Sequence, residues 1–181
     1  MGLDMYLNKK IYIGANYEHR GITGKIEIKE GKKKIPVNLS KVTYIIEQAG
    51  YWRKANAVHQ WLVDNIQDGE DDCKEYYFSE EKMQELLDIC NTIIAGTILE
   101  DGKVANGQRY DKEVDAWVDI LEDGKFIVNK ELAHKLLPTT EGFFFGSTDY
   151  DQYYYQDILD TKEILEEALK NPGEYYYESS W

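Results

Sequence analysis

Residues 80–95 constrain the fold most. Met83, Leu86, Leu87, Cys90, Ile93 and Ile94 recur at i, i+3, i+4 and i+7. That spacing lays one apolar stripe along a helix of 3.6 residues per turn. Ser79 stands just ahead of the stripe, where a hydroxyl caps a helix start. A helix of this length holds in water only when its stripe is covered, so the rest of the chain must supply an apolar surface for it. Helical period recurs twice more. Across 52–66, Ala55, Val58, Leu62 and Ile66 form one stripe, and Trp52, Asn56, His59 and Val63 the adjoining one. Across 149–170, Tyr154, Ile158, Thr161, Leu165 and Ala168 share a face, and Asn171-Pro172-Gly173 stops the helix. A short helix capped by Asn129 ends before Pro138.

Strand signals fill the remainder. Residues 3–13 and 42–47 are rich in β-branched and aromatic side chains, and 74–78 and 143–145 are short apolar or aromatic runs. Residues 25–37 read as a hairpin turning at Glu30-Gly31, with Pro36 marking an edge. Residues 116–128 read as a second hairpin around Asp123-Gly124. The polar, glycine-containing stretch 100–113 is expected to be a mobile loop, and the tail 173–181 either a short edge strand or disordered. Strands and helices do not alternate as regular βαβ units. The expected class is therefore α+β: a single domain over 1–181, with a mixed or antiparallel sheet covered by about three main helices.

Composition narrows the function classes. With 181 residues, 43% of them hydrophobic, the chain can bury a core without a disulfide or metal staple. No apolar run approaches the roughly 20 residues of a membrane span. The opening MGLDMYLNKK shows no basic region followed by an apolar one, so a cytoplasmic location is expected. The net charge is −13 and the pI near 4.7. Both disfavour general nucleic-acid binding and repel an anionic membrane surface. They suit solubility, or docking on a basic partner. Lys and Arg crowd the first third, and the C-terminal half is acidic. Cys73 and Cys90 fit neither zinc spacing nor a disulfide framework. Cys90 lies on the helical stripe and reads as core. Cys73 follows the acidic run DGEDD, which keeps a thiol protonated and disfavours a nucleophile.

Two segments carry chemistry. In YWRKANAVHQW (51–61), Trp52, Asn56 and His59 fall at i, i+4 and i+7 of a helix, with Arg53 bordering them. Projecting together, they would stack on a planar ligand and read its polar edges. Turned inward, they would be core groups satisfied by the backbone. In GFFFGSTDYDQYYYQD (142–157), an aromatic strand runs through Gly146 into Ser147, Thr148 and a helix. Free N–H groups at a helix start suit a phosphate, and ordinary capping is the alternative. The P-loop lysine is missing, and Asp149 and Asp151 would repel an anion. Tyr150, Tyr153, Tyr154 and Tyr155 surround that helix, and exposed tyrosine clusters suit recognition. The run Asp68, Glu70, Asp71, Asp72 does not match an EF-hand and reads as a solvated loop. HExxH, GxGxxG, GxSxG and CxxC are all absent, so no cofactor and no metal site are implied and binding is favoured over catalysis. If the chain is an enzyme, His59 is the general acid–base. Asp149 or Asp72 would orient it for hydrolysis of a phosphoester or glycosidic bond in a nucleotide.

GLDMYL (2–7), GYWRKANAVHQWLVDN with QDGEDDC (50–73) and GFFFGSTDYDQYYYQDI (142–158) resemble a family of small, functionally uncharacterised proteins of phages and prophages. The resemblance implies an accessory protein acting by binding in the bacterial cytoplasm, and it brings no residue roles. Two functional expectations follow. The first is a nucleotide-like, planar anionic ligand, such as a host defence signal, held between 52–61 and 146–150. Trp52 or Tyr150 would stack on it, Asn56 and His59 would read its edges, and Arg53, Ser147 and Thr148 would meet phosphate. The second is an acidic inhibitor docking on a host protein. Self-association into a homo-oligomer stays open beside both.

Overall fold

The computed structural model describes residues 2–14, 19, 26–142 and 144–181. Four strands form one antiparallel sheet in the order β4-β1-β8-β5: β1 (Asp4–Tyr12), β4 (Tyr44–Arg53), β5 (Tyr76–Tyr77) and β8 (Glu174–Ser180). The register sets Met5 between Trp52 and Ser179, and Leu7 between Gly50 and Tyr177. Because side chains alternate along a strand, these six residues share one face, and all six are buried. Helices α1 (Asn56–Ile66), α2 (Glu80–Gly96) and α4 (Gln152–Lys170) cover that face. A Cβ at Gly50 would stand 2.5 Å from Ile164 of α4, so only glycine lets the helix lie this close. The Trp52 indole donates to Thr161 Oγ1 at 2.9 Å and ties the same helix to β4. The architecture is α+β, with three main helices on an antiparallel sheet.

The sequence stripes set the helices. Met83, Leu86, Leu87, Cys90 and Ile93 are the buried residues of α2, and Ser79 Oγ caps it by accepting from Lys82 N. On α4 the buried set is Tyr154, Ile158, Thr161, Leu165 and Ala168. No described helix is long and apolar enough to cross a membrane.

Several elements depart from expectation. The helix expected from 52 begins at Asn56. Trp52 belongs to β4, and the chain turns at Lys54 in a left-handed conformation (φ 64°). Trp52 and the helix share the inward direction, and that mimicked a helical stripe. Residues 100–113 lie largely in β6 (Leu99–Asp111), which pairs with β7 (Ala116–Ile127) as a long two-stranded ribbon. Asp123-Gly124 is not a turn but sits in mid-strand opposite Lys103 and Gly102. Most ribbon side chains are exposed, so no buried face imposed period 2 on the sequence. The tail is β8, an interior strand, because Tyr175 and Tyr177 are core residues. Of the strand expected at 143–145, Phe144 and Phe145 lie in a loop, and Phe143 falls outside the described residues. The first hairpin is β2 (Ile28–Glu30) with β3 (Lys33–Ile35). Its expected start at residue 25 is also undescribed. Asn129 does not cap α3 (Glu131–Leu136); its side chain donates to Gly96 O and accepts from Ile98 N.

Candidate functional site

Of the residues singled out from the sequence, Trp52, Asn56 and His59 face inward, whereas Arg53, Ser147 and Thr148 are exposed. Asn56 Nδ2 donates to the carbonyls of Phe145 (3.2 Å) and Ser147 (2.8 Å), and Asn56 Oδ1 accepts from Thr140 N at 3.0 Å. One buried amide thereby staples the 140–147 loop to the start of α1. Trp52 is buried under α4. Only 1% of His59 is exposed. Its Nδ1 lies 2.6 Å from the Tyr177 hydroxyl and its Nε2 3.0 Å from Asp71 Oδ2. The Phe145 ring meets it edge-on at 5.2 Å. The Trp181 indole donates to the other Asp71 oxygen at 3.0 Å. Burial, with the nearby Asp71 charge second, raises the Tyr177 hydroxyl well above its usual range, so it donates rather than ionises. The carboxylate at His59 is therefore Asp71, not Asp72 or Asp149. Asp72 accepts from Lys74 N and Tyr76 Oη and pairs with the Lys74 ammonium, which holds its pKa below the usual range. Asp149 is engaged by the Ser147 hydroxyl.

Ser147 and Thr148 precede the helix rather than opening it. The start of α4 is occupied by the Asp151 carboxylate, which accepts from Tyr153 N and Tyr154 N. A negative group already sits where a phosphate would bind. Thr148 O accepts from Thr139 Oγ1. The Tyr150 hydroxyl accepts from Thr139 N, and its ring lies 4.9 Å from that of Tyr154. Arg53, Ser147 and Thr148 are exposed, and Arg53 Nε lies 4.0 Å from Asp4 Oδ1. Cys90 is core, and burial pushes its thiol up to about 12.

The opposite face of the sheet has a different character. Tyr6, Tyr12, Tyr44, Tyr51, Tyr77 and Tyr176 alternate with the buried residues and so project to the side away from the helices. Their rings pair across strands: Tyr6 with Tyr51 (5.4 Å), Tyr12 with Tyr44 (5.1 Å) and Tyr77 with Tyr176 (5.7 Å). Tyr51 is 43% exposed and Tyr77 55%. Carboxylates thread the rings. Asp4 accepts from the Tyr51 hydroxyl, Glu178 accepts from Asn8 Nδ2 at 3.0 Å, and Glu75 pairs with Lys10. The Lys10 ammonium lies 4.2 Å from the Tyr176 ring centre. Its hydrogen bond to Glu75 raises its pKa.

Sequence reading flagged the C-terminal tyrosines but missed this platform, because the contributing strands lie far apart in the chain. The available signal was the count of fifteen tyrosines, with Tyr6 and Tyr12 an even number of residues apart in β1 and so on one face. No protein family, curated protein or solved structure matches the chain.

Proposed function

We propose that this protein acts by binding a basic protein partner through the tyrosine face of its sheet. The observation that carries the reading is that open face, six tyrosines threaded by carboxylates, with three helices on the other side. Tyrosine gives broad contact area at low rotamer cost and is enriched where proteins recognise one another. The sign of the charge chooses the partner. Asp4, Glu75, Glu174 and Glu178 lie on or beside the face against Lys10 and Arg53, within a chain of net charge −13. Such a field attracts a cationic surface and repels an anionic ligand. The inward engagement of Trp52, Asn56 and His59 weighs the same way, against a nucleotide-like ligand between 52–61 and 146–150. The resemblance to phage accessory proteins supports a bacterial host protein as the target, met in the host cytoplasm.

The test is capture from bacterial lysate on immobilised protein, followed by titration of the purified partner. The reading expects one dominant partner, released by about 0.5 M salt and lost from a Tyr6→Ser/Tyr51→Ser variant of unchanged stability. Capture unaffected by that variant would overturn it.

A further inference from the structure

Resting on that docking reading, we infer that the tyrosine face recognises arginine side chains, with the principal subsite on Tyr6 between Asp4 and Glu178. The chain's own cations reveal the chemistry. Lys10 lies over the Tyr176 ring while paired with Glu75. Arg53 stands beside Asp4, which also accepts from Tyr51. In both places a cation, a tyrosine and a carboxylate of the same face come together.

The surroundings of Tyr6 repeat the pattern, and among the described residues no cation lies over its ring. Tyr51 with Asp4 flanks it on the β4 side, and its register partner Glu178 flanks it on the β8 side. Asp4 Oδ2 and Glu178 Oε2 have no hydrogen-bond partner among the described residues. A guanidinium is planar, stacks on an aromatic ring, and directs several N–H donors outward from its edge. Laid over Tyr6, it would direct those donors towards the two carboxylates. An ammonium is a compact, strongly hydrated charge without that edge. The face therefore discriminates arginine from lysine at equal charge.

The test uses three capped hexapeptides, of arginine, lysine and uncharged citrulline, titrated into the whole protein and followed by backbone and tyrosine-ring NMR. Arginine is expected to bind about five- to tenfold tighter than lysine, and citrulline more weakly than either. The largest shifts should fall on Tyr6, Tyr51 and residues 4–8. Glu178→Gln, which keeps the side-chain shape, should reduce the arginine preference to about twofold with the melting temperature unchanged. Equal binding of arginine and lysine overturns the inference and leaves the docking reading standing. Arginine preference with shifts confined to the β6–β7 ribbon also overturns it. If no peptide binds, the arginine subsite is refuted, and the docking reading is then decided by whether the Tyr6→Ser/Tyr51→Ser variant loses its captured partner.

Discussion

Three polar residues, Asn56 and His59 buried and Asp157 half-buried, can each be tested one side chain at a time. Asn56 donates two hydrogen bonds and accepts one, all to backbone. Asn56→Ala leaves those groups without it and should cost roughly 2–3 kcal/mol, read as a lower urea midpoint with unchanged slope. His59 joins α1, the 67–73 loop and β8 through Asp71 and Tyr177. A double-mutant cycle of His59→Ala with Asp71→Ala should show coupling above about 0.5 kcal/mol. Asp157 is half-buried on α4, and desolvation, followed by repulsion from Asp160 and Asp151, pushes its carboxyl up to about 7. The folded state therefore holds this proton more tightly than the unfolded chain, whose reference value is 3.8. The resulting stabilisation is fully present below that value and is lost as pH rises through about 7. The gap of about three units sets a ceiling of about 4 kcal/mol. Asp157→Asn should raise the melting temperature at pH 8 by a few degrees and flatten its decline between pH 4 and 7. An unchanged pH profile would refute the assignment.

At the scale of elements, the outer half of the β6–β7 ribbon has little support from the body of the fold. Two-stranded ribbons are marginal alone in water, and its outer half carries Trp117, 66% exposed and 5.8 Å from the ring of Tyr110. Amides of residues 106–118 should exchange faster than those of β1 and β8. Trp117→Ser should shift the melting temperature by no more than about 1 °C, since it removes no core contact. A drop of several degrees would show that the ribbon packs on the body. How far each element was legible follows the same physics. The stripes of α2 and α4 were readable because one side of each helix is buried and the other wet. The ribbon was not, since exposure on both faces leaves no alternation to detect. β8 looked like a tail because the pairing that buries Tyr175 and Tyr177 is with β1, at the far end of the sequence. Of the residues expected on one helix face, Asn56 and His59 both meet Phe145, while Trp52 lies on β4 under α4. Which way they face depends on the 140–147 loop and β8, and no local pattern encodes that.

For the whole molecule, the unequal faces of one sheet carry the functional reading. One face is closed by three helices. The other keeps its tyrosines and carboxylates towards solvent, on a chain acidic enough to draw a basic partner at a distance. Rim charges govern association and its salt dependence, whereas the rings at the centre govern dissociation. Neutralising Glu174 and Glu75 together should therefore slow association with the captured partner and weaken its salt dependence more than it changes the off-rate. The most direct measurement is calorimetric titration of that partner into wild type and Tyr6→Ser/Tyr51→Ser at low salt. The account predicts at least a tenfold loss of affinity in the variant, with a melting temperature within about 2 °C of wild type. Equal affinity for the two proteins would contradict it.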